Sequence, residues 1–173
     1  MRLLPCLALA ILAAGSAAAD TYSPRPGDIV TPSPSGLTLS NPDGTTQAQV
    51  DFGTGFHTTM QAIVTIFDHN TTISFPEECG AGPMVSADIP GQITLMFQED
   101  RLVGWMLNRG AALITDTGLS IGMSTDTLVA TGPVEFFESG LGTEFSRDGT
   151  YGVLNETGDR IEAIWSGTNC IFR

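Results

Sequence analysis

The chain has 173 residues, a formal net charge of −12 and no lysine among its basic residues. This acidic balance argues against binding to nucleic acid or to anionic lipid, because both require a basic protein surface. Without lysine, the chain can form neither a lysine Schiff base nor the lysine contact of a phosphate-binding loop.

Residues 1–19 have the three parts of a secretory signal peptide. Arg2 gives a positive start, residues 3–14 form an apolar run, and small residues precede the expected cleavage site. We expect cleavage after Ala19, which leaves Asp20 as the N-terminus of a periplasmic or secreted protein. A lipid anchor is not expected, because Cys6 lies near the start of the apolar run rather than after it. No later segment approaches the roughly 20 apolar residues that a membrane-spanning helix needs.

Removing 19 of the 173 residues leaves 154, the usual size of one domain. Residues 20–47 contain five prolines among small polar residues. We expect them to form an extended lead-in with one short edge strand at residues 36–39, because few of them can be buried. We place a single folded domain over residues 48–173.

The first half of this domain is predicted to contain one helix and an antiparallel hairpin. Apolar residues at helical spacing predict the helix over residues 57–67. A strand follows at residues 72–75. Alternating apolar residues in segments 92–98 and 101–107 predict the hairpin, and residues 111–115 predict a further strand.

The second half is predicted to contain a short helix over residues 125–130, which a Gly-Pro pair ends. Four strands are expected after this helix, over residues 134–137, 141–146, 151–154 and 159–166, and Cys170 is expected in a last short strand. The predicted fold class is therefore α+β, mainly antiparallel sheet with two short helices packed on it.

A weak internal repeat links the two halves. A glycine precedes each predicted helix, as Gly53 and as Gly122. Residues 100–105 also match residues 159–165 when one inserted residue is allowed, which aligns Trp105 with Trp165. Each copy would be a small helix followed by antiparallel strands that end on a tryptophan strand.

Cys79 and Cys170 are the two cysteines of the mature chain, and two cysteines in an exported protein favour one disulfide. The loop that it closes is long, and the chain-entropy model gives a stabilisation of about 4–5 kcal/mol for such a loop. A redox-active pair usually has C-x-x-C spacing, and a two-cysteine metal site needs nearby histidines. The sequence lacks both.

Three patterns bear on catalysis and metal binding. Asp116 begins an Asp-Thr-Gly string like that of aspartic proteases, but a single copy favours a strand-ending turn. His57 and His69 are the only histidines, and no nucleophile elbow accompanies them. Acidic pairs at residues 77–78 and 99–100 lack the spacing of a calcium loop and favour solvated turns. We expect no catalytic residues, metal or cofactor, with a small periplasmic hydrolase using His57 or Asp116 as the alternative.

Several segments resemble a family of exported, uncharacterised proteins from alphaproteobacteria, and the likeness covers about residues 50–173. The segments are Glu78-Cys79-Gly80-Ala81-Gly82-Pro83, Arg101-Leu102-Val103-Gly104-Trp105, Gly118-Leu119-Ser120-Ile121-Gly122-Met123-Ser124, Ser139-Gly140-Leu141-Gly142-Thr143-Glu144-Phe145 and Trp165-Ser166-Gly167-Thr168-Asn169-Cys170. Some members carry the name aspartate-semialdehyde dehydrogenase, which this sequence does not support because it has no dinucleotide fingerprint.

A more distant likeness concerns the glycine–helix–hairpin unit. It is similar to the module of small outer-membrane assembly lipoproteins and of β-lactamase inhibitor protein, which bind other proteins through a sheet face. This likeness implies a protein-binding domain and carries over no functional residues.

We therefore expect a non-enzymatic binding or accessory domain of the cell envelope, whose partner is another envelope protein. The candidate binding face contains Trp105, Phe136, Phe137 and Trp165. A purely structural assembly factor is a third class, which co-purification with outer-membrane proteins would distinguish.

Overall fold

The computed structural model describes residues 22–67 and 71–171, and the expected signal peptide, Asp20 and His69 lie outside these residues. The described residues form two helices and mostly antiparallel sheet, which confirms the predicted α+β class. The helices are α1 (Phe56–Phe67) and α2 (Thr125–Ala130). The strands are β1 (Ile29–Ser33), β2 (Gly36–Ser40), β3 (Gln47–Asp51), β4 (Thr72–Ser74), β5 (Val85–Ile89), β6 (Ile93–Gln98), β7 (Arg101–Leu107), β8 (Glu135–Ser139), β9 (Gly142–Arg147), β10 (Thr150–Leu154) and β11 (Ile161–Gly167).

Eight of the strands form one antiparallel sheet in the order β4-β5-β6-β7-β11-β10-β9-β8. Each half of this main sheet is a meander of four successive strands that follows one helix, with α1 before β4–β7 and α2 before β8–β11. The last strands of the two meanders, β7 and β11, pair antiparallel at the centre. The internal repeat is therefore a repeat of topology, with an approximate two-fold axis between β7 and β11.

Matching contacts tie the start of each helix to its meander. Gly53 and Gly122 have positive φ angles of 96° and 81°, a conformation that favours glycine. Their N–H groups donate to backbone carbonyls of β7 and β11 at 2.7 and 2.8 Å. The Arg101 guanidinium donates to the Gly53 carbonyl at 2.9 Å, and the Arg160 guanidinium donates to the Gly122 carbonyl at the same distance.

The strand register corrects one detail of the predicted repeat. A bulge residue occurs at the same place in each half, Val103 in β7 and Glu162 in β11. The two strands therefore align without an insertion, and Trp105 corresponds to Ile164 rather than to Trp165. Because successive strand residues point to opposite faces, this one-residue offset places the two tryptophans on opposite faces of the main sheet.

On the face of the main sheet that carries Trp105, one row of paired residues runs across the four strands of each meander. The row in the first half contains Trp105, Leu95, Ala87 and Ile73, and the corresponding row in the second half contains Ile164, Gly152, Phe145 and Phe136. Both rows are buried at the centre of the sheet and become exposed at its outer edges, at Ile73 and Phe136. The hydrophobic core thus lies against the middle of this face.

Strands β1–β3 form a second, smaller sheet, so residues 20–47 are not an unpacked lead-in. The strand expected at residues 36–39 is present as β2, but it is the middle strand of this sheet and not an edge strand. Val30, Leu37, Leu39 and Val50 are buried in the same apolar cluster as the middle of the main sheet. Prolines are compatible with this small sheet because β1 is its edge strand, where a missing N–H breaks no ladder hydrogen bond. The small sheet also reaches the last strand of the chain, since Ser166 Oγ donates to the Pro34 carbonyl at 2.9 Å.

Helix α1 buries one face against this core, with Thr59, Met60, Ala62, Ile63 and Ile66 on the buried side. Helix α2 is half as long, and its Ser124 cap accepts a hydrogen bond from the Thr127 N–H. Two predicted strands are absent from the described residues. Residues 111–115 make only an isolated bridge from Ile114 to Ser120, and Cys170 lies outside any strand.

Candidate functional site

The structure separates the predicted binding face into buried and exposed residues. Trp105 is fully buried, and its indole Nε1 donates to the Ser33 carbonyl at 2.7 Å. Trp165 is only 4% exposed, because residues 167–171 fold back beside it. Both tryptophans are packing residues, and their expected place on an exposed face is wrong.

Phe136 and Phe137 remain accessible, with exposed fractions of 43% and 38%. They are neighbours on β8, so their rings lie on opposite faces of the main sheet. Phe136 pairs with the buried Phe145, whereas Phe137 pairs with Glu144, which is buried on the other face. The two rings therefore flank the outer margin of the sheet rather than forming one flat patch.

Strand β8 is an edge strand, and its single strand partner among the described residues is β9. The first four residues of β8 are all exposed. Glu135 and Glu138 precede and follow the two phenylalanines, and the Glu138 carboxylate accepts a hydrogen bond from Thr143 Oγ1 at 2.8 Å. The edge combines apolar side chains, negative charge and accessible backbone.

A hollow of about 520 Å³ lies at the opposite margin, beside β4 and the β6–β7 turn. We call it the first hollow. Its apolar lining includes Phe75, Met84, Val85 and Phe97. Three carboxylates, those of Glu77, Glu99 and Asp100, also line it. The sequence analysis assigned Phe75 to the end of a predicted strand and the acidic pairs at residues 77–78 and 99–100 to solvated turns, and it did not predict that they line one hollow.

A second hollow of about 560 Å³ lies at the corresponding place in the other half. Glu138, Gly142 and Thr143 line it together with Leu154. The paired rows described above align the strands of the two halves. In this alignment Glu138, Gly142, Thr143 and Leu154 correspond to Phe75, Met84, Val85 and Phe97, in that order. The two-fold repeat therefore carries two hollows of similar size and different chemistry.

Cys79 and Cys170 lie side by side as free thiols, near each other but not at disulfide distance. Cys79 is buried with Met84 and Met96, and Cys170 packs against this group. Burial, followed by the neighbouring Cys79 thiol, raises the pKa of Cys170 to about 11. The fold brings together the two residues that the sequence pairs, and the bond itself remains a prediction.

His57 and Asp116, the residues of the alternative hydrolase, are both exposed. His57 lies at the start of α1, and Asp116 lies in a turn where its backbone N–H donates to the Pro32 carbonyl at 2.9 Å. No side-chain hydrogen bond or ion pair joins either of them to another titratable group in the described part of the chain.

Within residues 22–67 and 71–171, no group of three or more His, Cys, Asp or Glu side chains could hold a metal ion. None of the helices in these segments is long and apolar enough to cross a membrane. No family model matches the chain, and no curated protein or solved structure is detectably similar to it.

Proposed function

We propose that this chain is an exported, non-enzymatic binding domain of the cell envelope, and that the β8 edge is its contact with another protein. One observation carries the proposal: Phe136 and Phe137 are exposed together on an edge strand whose outer side has no strand partner among the described residues. An exposed edge offers backbone hydrogen bonds for the addition of a partner strand, and side chains on both faces give selectivity.

The charge of the chain supports a basic partner segment. Glu135 and Glu138 frame the two phenylalanines, and neither takes part in an ion pair among the described residues. Acidic residues on an edge also discourage pairing between two copies of the same strand, because like charges would face each other. A strand with basic residues would meet these charges favourably.

The signal peptide pattern supports export, and the distant likeness to protein-binding modules of the envelope supports the class of function. Such modules act through a sheet, and β8 is the edge of the main sheet with exposed aromatic residues. The buried tryptophans contribute to this function by holding the sheet in place rather than by touching a partner.

The test is capture of partners from a periplasmic and membrane extract, with light cross-linking and the mature protein from Asp20 as bait. We expect one dominant protein partner, which is lost when Phe136→Ser and Phe137→Ser are combined. Ile73→Ser is the matched control, because Ile73 corresponds to Phe136 at the opposite edge and is similarly exposed. Circular dichroism verifies that each variant is folded.

Hydrogen exchange provides a second measurement on the captured complex. The backbone amides of β8 should gain protection, while those of β4 should not. Capture that survives the double substitution, or protection confined to another surface, would contradict the assignment of β8.

A further inference from the structure

Phe75 has the most exposed large apolar side chain in the described residues, with an exposed fraction of 69%. It follows β4 directly and forms one side of the first hollow. An aromatic ring that is exposed to water would gain favourable burial free energy if an apolar ligand covered it. Such an exposed ring indicates a binding site if the fold itself does not require a large apolar residue at this position.

The second half of the chain supplies an internal comparison. The position that corresponds to Phe75 carries Glu138, and those that correspond to Met84 and Val85 carry Gly142 and Thr143. Both halves fold into the same helix and four-stranded meander. The meander therefore forms with a charged residue at the position of Phe75, so the exposed ring is not required by this topology.

The lining is held in place by contacts beneath and beside it. The Phe97 ring is 1% exposed and packs edge-on against Phe56 of helix α1, with 4.7 Å between ring centres. Gln98 Nε2 donates to the Ala81 carbonyl at 2.8 Å and fixes the loop that carries Cys79. The base and one wall of the hollow are thus set before any ligand arrives, which lowers the entropic cost of binding.

The acidic residues around the first hollow favour a positively charged ligand. Glu77, Glu99 and Asp100 line the hollow, and no basic side chain does. None of the three forms an ion pair within residues 22–67 and 71–171. The nearest basic residue in sequence, Arg101, has its guanidinium on the Gly53 carbonyl. A cation beside Phe75 would meet three carboxylates and one accessible aromatic ring.

We propose that the first hollow binds an organic cation with an apolar body, in which an ammonium or guanidinium group lies against the carboxylates and the hydrocarbon part lies against Phe75 and Val85. The volume of about 520 Å³ falls within the range of small-molecule sites. This proposal does not depend on the function assigned to β8, which lies at the opposite edge of the main sheet.

Isothermal titration calorimetry of the mature protein tests this chemistry with 2-phenylethylammonium as the probe. The matched neutral and anionic probes are 2-phenylethanol and 3-phenylpropionate. We expect saturable binding of the cation, at least about tenfold tighter than binding of either comparison probe. The affinity for the cation should fall as salt is raised, because the charges at the rim are accessible to solvent. Absence of saturable binding, or equal affinity for the three probes, would overturn the proposal.

Two variants locate the site. Phe75→Ser removes the exposed ring, and because the side chain is largely in water the fold should be little affected. The combined change Glu99→Asn and Asp100→Asn removes two charges at positions where φ is 48° and 57°, which asparagine accepts readily. Each variant should weaken binding of the cation by about tenfold or more. Leu141→Ser and Glu156→Gln in the second hollow are the controls and should leave binding unchanged.

A titration with a peptide distinguishes a cation carried by another protein from a free small molecule. A short peptide with adjacent phenylalanine and arginine residues is titrated beside the free amine. Binding of the peptide that requires Phe75 supports a protein-borne cation, and binding of the amine alone supports a free small molecule. Binding of either probe that persists in both Phe75→Ser and the double asparagine variant places the ligand elsewhere and overturns the assignment.

Discussion

Trp105 donates the hydrogen of its indole Nε1 to the backbone carbonyl of Ser33 at 2.7 Å, and the two residues are 72 positions apart in the chain. Ser33 ends β1 of the small sheet, and Trp105 lies in β7 at the centre of the main sheet. The bond is buried, so it joins two sheets where water cannot replace either partner. This hydrogen bond adds to the shared apolar core in holding residues 29–51 against the main sheet.

Replacing Trp105 with Phe should lower the free energy of unfolding by about 1–3 kcal/mol from the orphaned carbonyl alone, with a further loss from the smaller ring. Urea unfolding followed by circular dichroism measures this change. Trp165→Phe is the comparison, because it removes a buried indole for which no hydrogen bond is found within residues 22–67 and 71–171. A Trp105 variant no less stable than the Trp165 variant would contradict the role given to this hydrogen bond.

The oxidation state of the cysteine pair gives a second prediction. In protein recovered from an oxidising compartment, intact mass should show Cys79 and Cys170 joined, and reduction should add two hydrogens. Joining residues that far apart should stabilise the fold by up to about 4–5 kcal/mol in the chain-entropy model. Cys79→Ser combined with Cys170→Ser should unfold at the midpoint of the reduced protein. A protein that keeps two free thiols after oxidative refolding would contradict the pairing.

The reduced protein should lose stability in alkaline solution. Burial holds the pKa of Cys170 at about 11 in the folded state, above its ordinary value of 9.0, so the fold favours the neutral thiol. This contribution is fully present below about pH 9 and is lost as the pH rises through about 11. Urea midpoints measured across that range, with a reductant present, should decline.

Cys170→Ser is the control for this decline, and its midpoint should change less over the same interval. The comparison is needed because burial, followed by the hydrogen bond and the charge of Asp28, also raises the pKa of Tyr22. The loss of stability that follows from ionisation of Tyr22 occurs both in the reduced protein and in the Cys170→Ser variant, so it cancels when their midpoints are subtracted. Equal declines in the two proteins would show that Cys170 is not responsible.

Gly104→Ala tests how closely the C-terminal segment packs on β7. An added Cβ would lie 2.2 Å from the Thr168 carbonyl oxygen, a backbone atom that cannot move alone. The change should displace residues 168–171, lower the unfolding midpoint and slow formation of the disulfide to Cys170. Gly55→Ala is the control, because no atom lies within 4 Å of the added Cβ. Equal stability and oxidation rates in the two variants would contradict this packing.

Local patterns in the sequence were sufficient for much of the main sheet. Alternation in residues 101–107 matches β7, and helical spacing matches α1, because these signals depend on neighbours a few positions away. Strand β5 was missed, since Ser86 and Asp88 interrupt a short apolar run. In the small sheet only the strand at residues 36–39 was predicted. Its packing with β1 and β3 was missed because the prolines suggested an unpacked segment, whereas position on an edge decides whether a proline is tolerated.

The candidate sites depended on information that local patterns do not contain. The sequence match aligned Trp105 with Trp165, but the bulges at Val103 and Glu162 set the true register and place the two rings on opposite faces. Phe75 was assigned to a predicted strand with Ile73, but its place beside Met84 in the first hollow depends on a loop of the tertiary fold. By contrast, the glutamates on either side of Phe136 and Phe137 indicated an exposed apolar strip or an edge strand protected by charge, and the structure places both phenylalanines on an exposed edge strand.

The hydrogen bond from Ser166 to the Pro34 carbonyl spans 132 residues of chain. At a synthesis rate of 5–20 residues per second, Pro34 is made roughly 7 to 26 s before Ser166. For the first part of that interval the first three strands lack both β7 and β11, and for the rest of it they still lack β11. The small sheet can therefore take its final place against β7 and β11 only when nearly all of the chain is available, and its apolar side chains remain incompletely covered until then.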